Sequence, residues 1–241
     1  MSRFTEKLQT RCTRCRLRPS LCLCQDFPAF AGLRTELRLI IHRYEGNTTT
    51  NTGLLACEIL PGSKVLWRGA KPGESEDPWI RSSELVCEGR TPLLLFPEDS
   101  AEVVDDKWVE KRRSLSPSEK FTLIVPDGSW RQARRVGRRE PALAGMTRVT
   151  LPPGPPSEYR LRREPQARFV STFEAIARVL GAIDGPQVRH ELETIFRKFV
   201  GRHLWSRGDL EAHEVPGGIP ESAIHERQVS GFPRRWNGSS V

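Results

Sequence analysis

The sequence predicts an α/β protein built on a mainly parallel sheet, with a small cysteine-bearing segment ahead of it. Three observations point there. Strand-like apolar runs at Leu37 to Ile41, Pro92 to Phe96 and Phe121 to Val125 alternate with stretches of helical periodicity. The run at Pro92 to Phe96 is continuously apolar, as expected of a strand buried on both faces. The third run stops at Pro126, the turn pair Asp127-Gly128 follows, and Ser129 opens a helix-compatible segment, a strand–turn–helix junction of the kind at which open α/β sheets bind ligands.

That junction concentrates chemistry. Asp127 sits at the strand's carboxyl edge, and Gly128 lets the chain turn and lets a ligand approach the backbone. Arg131, Arg134, Arg135 and Arg138 follow at i, i+3, i+4 and i+7, one face of a helix, with Ala133 and Val136 on the other. A surface helix after an ordinary turn aspartate would look the same, so the segment is weighed with its surroundings. The chain has 38 Lys and Arg against 30 Asp and Glu, a net charge of +8 dominated by arginine. Arginine forks match phosphates and stack on bases, which favours a nucleic-acid partner. No apolar run approaches the ~18 residues of a membrane span. Met1 to Gln9 lacks the apolar segment of a secretory signal. A cytoplasmic location and reduced cysteines are expected.

Taken in order, the chain opens with Cys12, Cys15, Cys22 and Cys24, two close pairs with arginines between them. Four soft donors suit tetrahedral zinc, and four cysteines leave no open position, so the metal would be structural. Cys57 and Cys87 read as core residues. After the strand at Leu37 to Ile41 come His42 and the polar loop Asn47 to Gly53, then a helical pattern from Leu54 to Leu60. Thr50, Asn51 and Thr52 are N-cap candidates in a loop longer than one cap needs, and such a helix start can also hold a phosphate or carboxylate. His42 reads equally as a site residue or as a structural hydrogen-bonding histidine.

Ser63 to Trp67 is a short strand candidate, and Ala70 to Asp77 a loop rich in glycine, proline and acid. Glu98 and Asp99, past the second strand, either orient a ligand or cap the next helix. Val103 to Leu115 is charged and irregular and reads as a connector. Met146 to Leu151 is a short apolar piece followed by a Pro/Gly-rich loop, and Arg160 and Arg162 share one side of an extended segment. Ser171 and Glu174 have capping-box spacing ahead of the stripe Phe173, Ile176, Ala177 and Leu180, with Gly181 and Gly185 ending the helix. A second helix is expected from about Pro186 to Leu204, with Leu192, Ile195, Phe196 and Phe199 inward. Three regions follow: residues 1–30 as the four-cysteine zinc segment, 31–204 as the main domain, and 205–241 as a mobile tail with an RNA-contacting end at Arg234-Arg235-Trp236.

Four of these features, in this order, resemble the DTW-domain family. They are the cysteine cluster; Thr50-Asn51-Thr52-Gly53 after a histidine-bearing strand end; Asp127-Gly128-Ser129-Trp130 with Gln132-Ala133 and the arginines; and Tyr159-Arg160-Leu161-Arg162 with Ser171-Thr172-Phe173-Glu174-Ala175 downstream. The resemblance runs from about Cys12 to Leu204. The family's signature is Asp-x-Thr-Trp, and Ser129 here keeps the hydroxyl without the methyl. Arg43 stands where the family often has proline after the histidine.

The resemblance implies a fold related to the SPOUT class with a knotted C-terminal half. It also implies an activity: transfer of the 3-amino-3-carboxypropyl group from S-adenosylmethionine to N3 of a tRNA uridine, giving acp3U and 5′-methylthioadenosine. On that reading Asp127, Ser129 and Trp130 are catalytic, and Asp127 either takes the imide proton or binds the ammonium of the donor. Trp130 stacks on the uridine or belongs to the core. Thr50, Asn51, Thr52, Leu95, Phe96, Pro97, Pro126, Gly128, Ser171 and Thr172 border S-adenosylmethionine. Arg131, Arg134, Arg135, Arg160 and Arg162 hold tRNA phosphates. Two rival readings are a methyltransferase on the same fold and a non-catalytic zinc-containing RNA-binding protein.

Overall fold

The computed structural model describes residues 11–68, 79–161 and 169–230. Arg162, the loop at Ala70 to Asp77 and the segment Arg234 to Trp236 lie outside the described residues. The sheet has six strands: β1 (Thr35–His42), β2 (Lys64–Arg68), β3 (Arg90–Leu95), β4 (Glu102–Val103), β5 (Lys120–Asp127) and β6 (Thr147–Thr150). Their order is β2-β1-β5-β3-β6-β4, and every pairing is parallel. Parallel pairing places all the strands' carboxyl ends at one edge, which is what creates the site.

Side-chain alternation sorts the strands onto two faces. Leu37, Leu39, Ile41, Leu93, Leu95, Phe121, Leu123 and Val125 join the larger core cluster. Ile40, Leu94 and Ile124 join the smaller one. Because both faces are covered, β5 is buried from Phe121 through Asp127, and it continues past the expected stop at Pro126.

Seven α-helices connect and cover the described strands: α1 (Thr52–Ile59), α2 (Ser82–Leu85), α3 (Asp106–Leu115), α4 (Trp130–Arg139), α5 (Thr172–Ile183), α6 (Pro186–Arg207) and α7 (Glu221–Ser230). None is long and apolar enough to cross a membrane. The supposed connector Val103 to Leu115 is largely α3. Its apolar contribution is the adjacent pair Trp108 and Val109, too narrow to show a helical period, and its start is set by Asp105, whose side chain accepts from the Trp108 amide at 2.9 Å. Gly181 does not end α5. It lies inside the helix, where a Cβ would come 2.6 Å from Cβ of Arg189, so its role is close packing against α6. The break falls at Gly185, whose φ of 115° a side chain would oppose.

As far as residue 230, the stretch expected to be a mobile tail carries packed elements. Trp205 closes α6 from inside the core, Val215 and Ala223 are buried, and α7 packs on the Pro19–Leu21 turn. Glu226 of α7 accepts from Ser20 Oγ and, at 3.4 Å, from Arg18 Nη1. That anchor is polar and distant in sequence, so no apolar stripe announces it. Nor is the cysteine segment a separate body, since Leu17, Leu21 and Leu23 belong to the main core.

A close helix-to-sheet approach is at Gly53 in the first turn of α1. A Cβ there would lie 2.9 Å from Leu39 Cδ1 and 3.1 Å from Asp127 Cγ. Gly53→Ala is expected to cost ~1–3 kcal/mol by overpacking, read as a lower urea midpoint at unchanged slope. Wild-type stability in that variant would show that α1 can move off the sheet freely.

Candidate active site

The carboxyl ends of β3, β4, β5 and β6 border a crevice of about 1360 Å³. Asp127 ends β5 on its floor, 6 % exposed. A buried carboxylate needs partners, and here they come from two helix starts. Oδ2 accepts from Asn51 Nδ2 at 2.7 Å, and Oδ1 accepts from Thr172 Oγ1. Asn51 is also the N-cap of α1, its Oδ1 accepting from the Leu54 amide at 2.8 Å. One side-chain amide therefore closes a helix and holds the acid. Thr172 is the first residue of α5. Both helices bring the positive ends of their dipoles toward the carboxylate.

Around this clamp the polar loop is fully used. Thr50, Asn51 and Thr52 are buried. Tyr159 Oη donates to the Thr50 carbonyl at 2.9 Å, and Thr52 Oγ1 accepts from the Phe173 amide at 3.4 Å. Thr52 thus keeps its own hydroxyl proton for another acceptor. Cys57, on the same helix, is pushed up to about 12 by burial and then by the charge of Asp127, so it stays a neutral thiol. It is half-buried against the core. Cys87, expected there too, is half-buried among charged groups instead, its Sγ accepting from Arg38 Nη2 at 2.6 Å and donating to Glu36 Oε2 at 3.7 Å.

After Asp127, Gly128 turns at φ 136°, and a Cβ there would sit 3.0 Å from Gln132 Oε1. That oxygen accepts from the Ser129 amide at 2.8 Å, while Ser129 Oγ accepts from the Gln132 amide at 3.3 Å, a capping box that starts α4. Ser129 is exposed at the crevice rim with its oxygen engaged in the cap. Trp130 is half-buried in the crevice wall, stacked on Phe169 with centroids 4.0 Å apart and planes 29° apart.

The opposite wall has two parts. Leu95, Phe96 and Pro97 leave β3, as expected, and Leu151 to Pro156 leaves β6, which the sequence showed only as a Pro/Gly-rich loop. The second part is held by Glu174. Its Oε2 accepts from the Ser171 amide at 2.8 Å, Ser171 Oγ at 2.7 Å and Ser157 Oγ at 2.6 Å, and its Oε1 accepts from the Glu158 amide at 2.7 Å. Arg178, one turn further along α5, donates to the Pro155 carbonyl at 2.6 Å. Burial lowers the guanidinium's pKa, and the charge of Glu174 offsets part of that. Capping-box spacing made Ser171 and Glu174 visible in the sequence, but not the reach of Glu174 to the wall loop.

Every residue expected to border the donor lines this crevice: Thr50, Asn51, Thr52, Leu95, Phe96, Pro97, Pro126, Gly128, Ser171 and Thr172. Of the expected RNA-binding arginines, Arg131 and Arg134 line it, whereas Arg135 and Arg160 are exposed outside its lining. Glu98 and Asp99 are lining residues, and Glu98 pairs with Arg148 at 2.9 Å. His42 is not a lining residue. It caps the 3₁₀ turn Arg43–Asn47, its Nδ1 accepting from the Tyr44 amide at 3.4 Å.

The four N-terminal cysteines converge elsewhere. Their sulfurs all lie within 4.8 Å of one another, with Cys12–Cys24, Cys12–Cys22 and Cys15–Cys22 at 3.5, 3.6 and 3.7 Å. A tetrahedron with metal–sulfur arms of ~2.3 Å has edges of ~3.8 Å, so the donor set fits a structural metal. Burial pushes Cys15 up to about 11. At Cys12 burial acts the same way, but hydrogen bonds from the Cys15 and Arg14 amides and from neighbouring thiols outweigh it and bring the thiol down to about 7. The turn also braces the crevice: Arg16 Nη1 donates to the carbonyls of Gly46 and Thr48, just before the Thr50–Thr52 loop.

A tRNA-uridine aminocarboxypropyltransferase 2 from Macaca fascicularis is 28% identical over 180 residues, which is 74% of this chain and 58% of that protein. The Drosophila melanogaster protein of the same name is 24% identical over 188 residues, 76% of this chain and 71% of the relative. A tRNA-uridine aminocarboxypropyltransferase A from Arabidopsis thaliana is 25% identical over 217 residues, with 78% and 79% covered. The chain therefore spans little more than half the length of the macaque relative. The solved structure of the SAM-dependent rRNA:acp-transferase Tsr3 from Vulcanisaeta distributa superposes with a TM-score of 0.44 at 16% identity, over 81% of this chain and 89% of that one, too loosely to bear on the site. The DTW domain matches residues 9–204, most of the sequence, and the chain belongs to the DTW-domain family.

Proposed function

We propose that this protein transfers the 3-amino-3-carboxypropyl group of S-adenosylmethionine to N3 of a tRNA uridine, leaving acp3U and 5′-methylthioadenosine. The names of its relatives support the reaction. The observation that carries it is the Asp127 carboxylate, buried beside a large crevice and clamped by Asn51 and Thr172. In the reaction the N3–Cγ bond forms as the Cγ–S bond breaks. The bonding pair returns to sulfur, which loses its positive charge, and the imide proton passes from N3 to Asp127 or, where Asp127 holds the ammonium, to solvent. The protein's task is to align nitrogen, carbon and sulfur and to accommodate that proton.

Each Asp127 oxygen already accepts one hydrogen bond and retains a lone pair directed elsewhere. This favours a fixed anchor for the donor's ammonium over a freely rotating base. The Thr52 hydroxyl and the amides at the start of α1 are suited to the donor's carboxylate. Leu95 to Pro97, Pro126 to Gly128 and the Leu151 to Pro156 loop would enclose the adenosine. Arg131 and Arg134 at the rim, with Arg135 and Arg160 beyond it, would hold RNA phosphates and fix register without reading bases. Trp130, stacked on Phe169, is placed to meet a base at the mouth. We further propose that Cys12, Cys15, Cys22 and Cys24 hold structural zinc. From the family resemblance we also propose a SPOUT relationship with a knotted C-terminal half, and the all-parallel sheet is consistent with it.

Incubation with tRNA and S-adenosylmethionine should yield acp-modified uridine and methylthioadenosine by mass spectrometry, and Asp127→Asn should slow turnover on the order of 10²-fold or more. S-adenosylhomocysteine as by-product would replace the reading with methyl transfer. Near wild-type turnover in the variant would remove Asp127 from the mechanism. The purified protein should carry one zinc per chain by elemental analysis, and chelation should lower its Tm. A metal-free protein with an unchanged melting curve would show four ordinary thiols instead.

A further inference from the structure

The turn Arg43–Asn47 carries an aromatic group that the fold does not use. Tyr44 is 80 % exposed, so its ring contributes little to the core. It is nevertheless held. Its ring stacks on His42 with centroids 5.1 Å apart and planes 22° apart, and its amide donates to His42 Nδ1. Gly46 lies against the Trp67 indole so closely that a Cβ would meet it at 2.7 Å. Arg16 fixes the turn from the other side through the Gly46 carbonyl. A large ring presented to solvent on a braced turn can receive a partner at low entropic cost.

Position and charge indicate the partner. β1 pairs with β5 so that Ile41 lies beside Asp127, and Tyr44 follows three residues later at the same sheet edge. Its neighbour Glu45 lines the crevice, as do Arg131 and Arg134 of the exposed basic face of α4. Tyr44 follows the end of β1 and the arginines follow the end of β5, so an exposed aromatic ring and guanidinium groups stand at the same edge of the sheet. Guanidinium groups track a phosphate backbone while aromatic rings take up unpaired bases, which is the composition of a single-stranded RNA platform. A protein partner would not call for that run of arginines.

We propose that Tyr44, backed by His42, stacks on an unpaired base next to the nucleotide that enters the crevice, and so positions the RNA. The inference rests on the RNA-modifying reading above. Its test compares wild type with Tyr44→Ala, Tyr44→Leu and Tyr44→Phe, using anisotropy with labelled tRNA and steady-state kinetics. Tyr44→Ala and Tyr44→Leu should raise Kd and KM for tRNA about tenfold, the loss expected for one stacked base. KM for S-adenosylmethionine and kcat at saturating tRNA should hold, and Tyr44→Phe should behave as wild type. Unchanged tRNA affinity in Tyr44→Ala, or wild-type affinity in Tyr44→Leu, would overturn the platform. If wild type forms no acp-uridine yet Tyr44→Ala still weakens tRNA binding, the transferase reading falls and the platform stands.

Discussion

The site depends on the clamp at Asp127. A carboxylate 6 % exposed is costly unless it is paired, and its partners come from chain segments far apart in sequence. Asn51 opens α1 and Thr172 opens α5, so one acid fixes the two helix starts to the end of the central strand. Hydrogen bonds to a charged acceptor contribute ~1.5–3 kcal/mol each, enough to fix the position of two helix starts whose apolar faces already pack in the core. Gly53 is the steric counterpart, since α1 reaches the acid only because no Cβ stands between them.

The same device recurs around the crevice. Glu174 closes the start of α5 and, through Ser157 and the Glu158 amide, draws in the loop that follows β6. Arg178 holds the Pro155 carbonyl of that loop. Arg16 ties the cysteine turn to the segment leading into Thr50, and Glu226 ties α7 to the turn before Cys22. Apolar burial builds the sheet and its layers. A few buried or half-buried polar side chains then set where the loops stand, and the loops make the cavity.

This division explains what could be read from the sequence. The strands at Leu37, Pro92 and Phe121 were legible because burial on both faces leaves long apolar runs. The turn at Asp127-Gly128-Ser129 and the caps at Asn51, Ser129 and Ser171 were legible because capping is decided within four residues. The cysteine site was legible in spacing. The rest was not, because it depends on distant partners. Nothing near Glu174 shows that it will bind Ser157, and nothing near Glu226 shows that it will meet Ser20. α3 was missed because two adjacent apolar residues give no period. Arg135 and Arg160 stand exposed outside the crevice lining, and charge alone does not say which surface an arginine serves.

The clamp is tested most directly by calorimetric titration of S-adenosylmethionine into wild type and into Thr172→Val, which keeps Asp127 and the residue's shape but removes one of the acid's two donors. Wild type should bind one equivalent, and the variant, its melting temperature lowered by several degrees for the lost hydrogen bond but still folded at the titration temperature, should bind about tenfold more weakly, ~1.4 kcal/mol. Equal affinity for the two proteins would contradict the claim that the held carboxylate is what the donor meets.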